Sequence, residues 1–298
     1  ISGSFKMNNI YKTKRAIEEI LKHNVDHIMF TGDISDNAEW KDFLIFRNIL
    51  KQFNLLDTKK ATVLIGNHDI FGGVQTAMDV ISFPSKCASV KYKEKVQSFI
   101  HYFAELFEGV HFVVPADYFP FIKVIEDVAL ICFNSIDKYT KLNNPFASNG
   151  KVPSKHVEMI DEALQNSKYS NLKKIVGIHH HFYKNSEEAT SSSSKMWTRI
   201  ENYTMKLRKK KNLINLFIKH KIELVLHGHS HEMRNYFRKG IQFANAGASI
   251  ENNSDNVFFK IIEIIESQPV TLLEYKFEVK EKMEIPEPSA HEIVVGMN

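Results

Sequence analysis

Four short polar segments carry side chains that could hold a divalent metal ion. They are Gly32-Asp33, Gly66-Asn67-His68-Asp69, the triple histidine 179–181, and the run His227-Gly228-His229-Ser230-His231. Each follows an apolar stretch of chain. Together they offer carboxylate, amide oxygen and imidazole, a mixture that suits ions of borderline hardness such as Mn, Fe, Co, Ni or Zn. The only cysteines are Cys87 and Cys132, so a cysteine-type structural zinc site is disfavoured.

Taken one at a time, these segments also have ordinary structural interpretations. Asp33 could cap a helix or form a turn, and residues 66–69 could form a turn with positive φ angles. One histidine of the triplet could be a hydrogen-bonded core residue. His229 and His231 are more informative, because side chains two positions apart in an extended segment point to the same side. The four segments in this order are hard to explain as coincidence.

The elements that must position these segments alternate between helix and strand. The apolar periodicity predicts helices at 11–23, 40–53, 92–107, 154–165 and 197–220, and strands at 27–30, 61–65, 121–125, 128–133, 174–178, 222–226, 257–265 and 270–279. This order favours an α/β layer architecture in one domain over residues 1–280, followed by a tail at 281–298. Loops at the carboxyl ends of strands in such sheets converge on one crevice, which would gather the four segments.

Composition limits the class of protein. The chain has 298 residues, of which 43% are hydrophobic and 25% charged, so collagen-like, low-complexity and disordered classes are excluded. The net charge of +4 permits an anionic ligand, but a dedicated nucleic-acid-binding protein would usually have a larger excess of basic side chains. The cysteines are expected to be buried thiols in a reducing, cytoplasmic compartment. Because the chain opens at Ile1, an upstream signal or membrane anchor stays open.

The ordered motifs GD, GNH[DE], HH[PH] and GH[STV]H resemble the calcineurin-like metallophosphoesterase superfamily, over roughly residues 1–265. Within it, the chain resembles the branch of bacterial phosphodiesterases and UDP-diacylglucosamine pyrophosphatases. The resemblance implies a four-layer α/β/β/α sandwich with a two-metal centre at the strand ends.

The resemblance also assigns roles to residues. Asp33 would bridge two metals, Asn67, His179 and His229 would bind the second metal, and His231 would reach the first. His180 is the alternative if His179 is not the family's histidine. His68 would bind no metal; it would lie over the phosphoryl group and stabilise the transition state or protonate the leaving oxygen. Asp69, Asp36 and His227 are expected to support the ligands.

One departure concerns the first metal. Members of the family open with a strand that ends in Asp-x-His, whereas this chain reads Ile1-Ser2-Gly3-Ser4-Phe5. Either the two ligands are substituted, or a few residues are omitted between Ser2 and Gly3, which we favour. A real loss would leave the first metal with Asp33 and His231, and the centre mononuclear or inactive.

The expected activity is hydrolysis of phosphoric esters, as a phosphodiesterase or pyrophosphatase, by a hydroxide that bridges two divalent ions (Mn, Fe or Zn). The substrate would be an anionic nucleotide or nucleotide-linked lipid. The alternative is a non-catalytic metal-binding or scaffolding module.

Two surface features remain ambiguous. The basic stretch 206–211 would be a solvated helix face or would attract an anionic substrate or an acidic membrane surface, giving peripheral membrane contact. The aromatic residues between 102 and 122 would form core or an apolar cap.

Overall fold

A computed structural model describes residues 2–74, 79–115, 117–183, 205–230, 233–247, 249–250, 255–266 and 268–279. The helices, in chain order, are α1 (Ser2–Leu21), α2 (Trp40–Gln52), α3 (Asn67–Phe71), α4 (Asp79–Ser89), α5 (Tyr92–Tyr102), α6 (Ser154–Ala163) and α7 (Lys210–Lys219). The strands are β1 (Ile28–Phe30), β2 (Ala61–Val63), β3 (His111–Phe112), β4 (Phe121–Ile125), β5 (Val128–Phe133), β6 (Gly150–Lys151), β7 (Lys173–Ile178), β8 (Leu207–Arg208), β9 (Leu224–His227), β10 (Arg234–Arg238), β11 (Ile241–Asn245), β12 (Asn256–Glu263) and β13 (Thr271–Glu278). Short 3-10 helices cover Ala104–Phe107 and Ser167–Tyr169. The predicted tail at 281–298 lies outside the described residues.

The largest sheet has seven strands in the order β10-β11-β9-β7-β5-β4-β3. Its centre is parallel, because β11, β9, β7 and β5 all run in one direction. The described residues also form three two-stranded units: the parallel pairs β1–β2 and β6–β8 and the antiparallel hairpin β12–β13. Strand β1 is short and apolar, as the sequence predicts, and it stops where Gly32 takes a positive φ.

Two cores lie on opposite faces of the seven-stranded sheet. Because successive strand side chains alternate between faces, Leu130 faces one core and Ile131 the other. The first core joins the large sheet to β1, β2 and helices α2 and α5. The second packs that sheet against α6 and α7, for example through Ile160 and Phe217. The resulting order is helix, sheet, sheet, helix, which confirms the predicted α/β fold class.

Three local expectations are resolved by long-range packing. The predicted helix at 197–220 is wrong in part, since Leu207–Arg208 forms β8 against β6 and α7 begins only at Lys210; residues 197–204 lie outside the described part.

Of the aromatic residues between 102 and 122, those fully buried in the first core are Phe103, Phe107, Phe119 and Phe121. These four are therefore core. Both cysteines are buried free thiols, as expected.

No helix within the described ranges is both long enough and apolar enough to cross a bilayer.

His27, which immediately precedes β1, makes stability depend on pH. Its Nδ1 lies 2.6 Å from the carbonyl oxygen of Lys59 and its Nε2 lies 2.9 Å from the Thr62 hydroxyl. Burial lowers the pKa of His27 to about 4, so folding favours the neutral ring. Its stabilisation is complete above the ordinary histidine pKa and declines as pH falls from about 6.5 toward 4, by about 2 kcal/mol at pH 5. Urea denaturation between pH 7.5 and 5 should show a loss of stability that is about 2 kcal/mol smaller in His27→Gln than in the wild type.

The matched control is His101→Gln, because His101 is exposed on α5. This variant should keep the wild-type pH slope. A wild-type slope in His27→Gln would contradict the assignment.

Candidate metal centre

The four polar segments meet at one edge of the structure because they follow strands that point the same way. β1 runs into Asp33, and its parallel neighbour β2 leads to Asn67 at the start of α3. In the large sheet, β7 runs into His179 and its parallel neighbour β9 leads to His229. The carboxyl ends of both sheets thereby face a common site, as expected for parallel strands.

Ligand atoms from all four segments surround one imidazole nitrogen. The Nε2 atom of His179 lies 3.1 Å from Asn67 Oδ1, 3.1 Å from His229 Nδ1 and 3.3 Å from Asp33 Oδ2. Single ligand atoms of Asp33, His179 and His229 all lie within 4.8 Å of one another. Four of the five predicted ligands are therefore neighbours. The fifth, His231, lies outside the described residues.

The orientation of His179 is fixed by the main chain. Its Nδ1 lies 2.8 Å from the carbonyl oxygen of Thr31 and donates a hydrogen bond to it. This contact places a hydrogen on Nδ1 and directs Nε2 toward the cluster. The imidazole is almost fully buried. The orientation of the ring is therefore fixed with Nε2 toward the cluster, where it could bind an ion.

The charge states of the cluster suit a cation. Burial and the neighbouring histidines lower the pKa of His229 well below the usual value, so its ring is neutral at pH 7. Desolvation favours the protonated form of Asp33, but His179 and His68 outweigh it and hold the pKa of this carboxyl well below its usual range. Metal ligands must be deprotonated, and both residues meet that condition at neutral pH.

The fit to a metal ion also rests on an orphaned polar atom. His229 Nε2 is buried and, within the described part of the chain, has no hydrogen-bond partner. Unpaired buried polar atoms are costly and are retained where a role requires them. An oxygen- and nitrogen-rich cluster with such a ring fits a divalent ion of the Mn, Fe or Zn type.

Close approach of the backbone explains the glycines in two motifs. A Cβ on Gly66 would lie 2.0 Å from Asp33 Oδ1. Gly32 has φ +102°, and a Cβ there would lie 2.6 Å from His179 Nδ1. Asp33 and His229 themselves have positive φ angles of 56° and 65°. Uncommon backbone conformations of this kind cluster at functional sites.

A buried carboxylate, Asp69, joins the two loops that carry Asp33 and Asn67. Asp69 accepts hydrogen bonds from the backbone N–H groups of Asp33 at 3.1 Å, Ser35 at 2.8 Å and Gly66 at 2.7 Å. Burial and the adjacent Asp33 carboxylate raise the pKa of Asp69 to about 7. Asp69 thus holds together the two loops that carry Asp33 and Asn67.

His68 lies beside the cluster with its ring partly exposed. Its backbone N–H donates to Asp33 Oδ1 at 3.0 Å, and its ring Nδ1 lies 3.3 Å from Asp36 Oδ1. The ring is 32% exposed. The residue is therefore connected to the Asp33 loop through its backbone, while its ring reaches solvent.

The other histidines of the motifs have structural partners. His180 directs Nδ1 to the Ser135 hydroxyl at 2.8 Å and Nε2 to the carbonyl oxygen of Ser148 at 3.1 Å, so the alternative ligand is turned away. His227 Nε2 lies 3.0 Å from the hydroxyl of Tyr236. Sequence analysis missed Ser135, Tyr236 and the carbonyl of Thr31. A backbone carbonyl leaves no residue-type signal, Ser135 lies far from any motif, and no local pattern marks Tyr236, five residues beyond His231, as a partner of His227.

The first residues do not form the strand that carries Asp-x-His in the family. Residues 2–21 form helix α1, and within the described ranges Asp33, His179 and His229 are the group of acidic and histidine side chains that could hold a metal. Within the described residues, the four clustered side chains could hold one ion, and no counterpart of the Asp-x-His pair lies beside them.

Comparison with known proteins agrees with this geometry. Residues 6–233 match the sequence model of the calcineurin-like phosphoesterase family. Among solved structures, a dimetal phosphatase from Danio rerio is similar at 12% identity, with 90% of this chain and 88% of that chain covered and a TM-score of 0.60. A phosphopantetheinyl hydrolase from Mycobacterium tuberculosis is more distant, at 11% identity, 74% and 78% coverage and a TM-score of 0.40. No curated protein sequence matches the chain.

The family match spans well over half of the chain, and the first of these structures shares its mixed α/β fold. The ordered metal-binding motifs and the fold thus lead to one conclusion: the chain belongs to the calcineurin-like phosphoesterases, a class of hydrolytic enzymes.

Proposed function

We propose that the protein hydrolyses phosphodiesters or pyrophosphates of nucleotide type at the cluster of Asp33, Asn67, His179 and His229. The main support for the proposal is the position of His179 Nε2. Oxygen or nitrogen atoms of Asn67, His229 and Asp33, which come from three other loops, lie within 3.3 Å of it. Carboxylate, amide and imidazole groups are costly to gather in a largely buried cluster, and a bound cation would offset that cost by contacting all of them.

Two divalent ions of the Mn, Fe or Zn type are the proposed cofactors, the second held by Asp33, Asn67, His179 and His229, the first by Asp33 and His231. When bound, such ions polarise phosphoryl oxygens and make water acidic enough to ionise near neutral pH. The mixture of carboxylate, amide and imidazole ligands favours an ion of this type. The chain's own residues fix the donors: Thr31 orients His179, and Asp69 holds the loops of Asp33 and Asn67 together.

We assign His68 to the leaving-group side of the reaction. Its ring is exposed beside the cluster, and Asp36 orients Nδ1. An imidazole positioned in this way can donate a proton or a hydrogen bond to the departing oxygen. Asp36 would act through His68 as a positioning residue.

The test is hydrolysis of bis-p-nitrophenyl phosphate by the Mn²⁺-loaded protein. We expect His68→Ala to lower kcat about a hundredfold, because the imidazole no longer stabilises the charge that develops on the phosphoryl group and the departing oxygen. Its Mn²⁺ affinity, measured by calorimetry, should stay near the wild-type value, since the four ligands remain. His101→Ala, an exposed histidine on α5, is the matched control.

Two results would contradict this proposal. Wild-type hydrolysis by His68→Ala would remove the catalytic role of His68. Absence of both hydrolysis and Mn²⁺ binding in the wild type would favour the scaffolding alternative. Parallel assays with a cyclic nucleotide and with a nucleotide-linked lipid separate the two proposed substrate classes.

Part of the basic stretch at 206–211 serves the fold. Lys210 Nζ donates to the carbonyl oxygen of Phe182 at 2.8 Å, and the Arg208 guanidinium donates to the carbonyl oxygen of Asn143. These contacts favour a structural role for both residues. We therefore assign the binding of anionic substrates to the metal centre rather than to this stretch.

A further inference from the structure

The loop that follows β5 is held in one conformation by buried asparagines. Asn144 is fully buried; its Nδ2 donates to the carbonyl oxygen of Lys138 at 3.3 Å, and its Oδ1 accepts from the backbone N–H of Asn149 at 2.9 Å. Main-chain hydrogen bonds between Thr140 and Asn144 close a turn within the loop. Leu142 lies at the apex of this turn and is 84% exposed. The loop therefore presents a leucine side chain to solvent from a fixed backbone.

The basic stretch identified in the sequence borders this loop. The backbone N–H of Lys206 donates to Asn149 Oδ1 at 3.0 Å, and the Arg208 guanidinium donates to the carbonyl oxygen of Asn143. Strands β6 and β8 pair between these two contacts. The loop and the basic stretch therefore form one surface.

Positive charge is concentrated on this surface. Residues 137–151 and 205–211, which we call the basic surface, contain eight lysine and arginine side chains and one acidic side chain, Asp137. Their net charge is +7, whereas the whole chain carries +4, so the rest of the chain is net negative. The side chains of Lys141 and Lys209 are exposed. A local field of this kind attracts an extended anionic partner.

The basic surface lies at the same edge of the large sheet as the metal centre. Its loop begins at the carboxyl end of β5, and the parallel neighbour of β5 is β7, which leads to His179. The Ser135 hydroxyl, just after β5, and the Ser148 carbonyl oxygen both contact the ring of His180. A partner bound to the basic surface would therefore lie beside the metal centre.

The exposed leucine distinguishes between two kinds of anionic partner. A single exposed leucine is ordinary at a protein surface, but Leu142 lies at the apex of a fixed loop among basic side chains. A bilayer interface removes such a side chain from water, whereas the phosphate backbone of a nucleic acid does not. Surfaces that bind single-stranded nucleic acid also offer aromatic rings for stacking. The rings of this loop, Tyr139 and Phe146, pack against the first core instead.

We propose that the basic surface docks the protein on bilayers that contain anionic phospholipids. Leu142 enters the interface between headgroups and acyl chains, and lysines such as Lys141 and Lys209 lie near the anionic headgroups. Because hydrogen bonds already order the loop, little conformational freedom is lost on docking. Docking requires neither a bound metal nor turnover, so it can fail while the proposed hydrolysis holds, and the reverse.

The test is cosedimentation with sucrose-loaded vesicles made of equal parts phosphatidylcholine and phosphatidylglycerol. The wild-type chain should bind these vesicles and should be released as the salt concentration rises, because salt screens the attraction. Leu142→Asn should weaken binding about tenfold, since the buried apolar side chain is lost. Lys141→Glu should weaken binding at least about fivefold, because a charge near the headgroups is reversed.

Two variants elsewhere on the surface are the matched controls. Ile81→Asn removes an apolar side chain on α4 that is 80% exposed. Lys93→Glu reverses the charge of an exposed lysine on α5. Both should bind the anionic vesicles as tightly as the wild type does.

Entry of the loop into the bilayer has its own measurement. In Leu142→Trp, brominated phosphatidylcholine in the vesicles should quench the added tryptophan more strongly than it quenches the wild-type fluorescence. Equal affinity of Leu142→Asn and the wild type, or equal binding to vesicles of phosphatidylcholine alone, would overturn the proposal. Tighter binding to polyuridylate than to the anionic vesicles would instead identify a nucleic-acid surface.

Discussion

Asp33→Asn is expected to abolish both divalent-metal binding and phosphoester hydrolysis. The carboxylate lies 3.3 Å from His179 Nε2 at the centre of the cluster. The variant retains an oxygen that can accept from His68 N–H, so the loop keeps its shape while the negative charge is removed. A bound ion supplies several kcal/mol of transition-state stabilisation, so we expect kcat/KM for bis-p-nitrophenyl phosphate to fall at least about a thousandfold. Mn²⁺ calorimetry supplies a second readout that needs no turnover.

Asp161→Asn is the matched control for this experiment. Asp161 is a carboxylate on α6 that contacts Lys219 and His220, on the far side of the large sheet from the cluster. Its substitution should leave metal affinity and turnover unchanged. If Asp33→Asn bound Mn²⁺ as tightly as Asp161→Asn does, the proposed centre would be wrong.

The second large effect concerns stability. Asp69→Ala removes the acceptor of three backbone N–H groups, those of Asp33, Ser35 and Gly66. Asp69 is fully buried, so water cannot replace the carboxylate without rearrangement. Each unsatisfied buried donor costs about 1–3 kcal/mol, and we expect the free energy of unfolding to fall by about 3–5 kcal/mol. Urea denaturation of the metal-free protein measures this loss.

Asp57→Ala is a comparable change at the surface. Asp57 also accepts a backbone hydrogen bond, from Lys59 N–H at 2.7 Å, but it is exposed. This variant should lose less than about 1 kcal/mol, because water can replace the lost acceptor. Faster hydrogen exchange at Ser35 and Gly66 should accompany Asp69→Ala only. Equal stability of the two variants would show that Asp69 does not join the loops.

Several features of the fold are predictable from local sequence. The short apolar runs before Asp33 and Asn67 form β1 and β2, and the predicted hairpin at 121–133 forms β4 and β5 with the expected boundaries. Runs of this kind are reliable because burial on both sides of a strand requires consecutive apolar residues. The positions of the metal-binding motifs at strand ends follow directly.

Other features depend on partners that are distant in the sequence. Leu207 and Arg208 would continue the helix that becomes α7, but pairing with Gly150 and Lys151 draws them into a strand. Local helix propensity is weak compared with such tertiary contacts. Likewise, the choice of His179 over His180 rests on hydrogen bonds to Thr31 and Ser135, which no local pattern reveals.

The sequence by itself therefore determined the kind of site, because the types and order of Asp33, Asn67, His179 and His229 suit a divalent ion and match the motifs of the calcineurin-like phosphoesterases. Only the tertiary structure decided which atoms face one another and how Asp69 joins two loops. The physical reason is the separation of the residues along the chain. Residue type sets what a side chain can bind. Contacts between residues more than a hundred positions apart are set by the packing of sheets and helices.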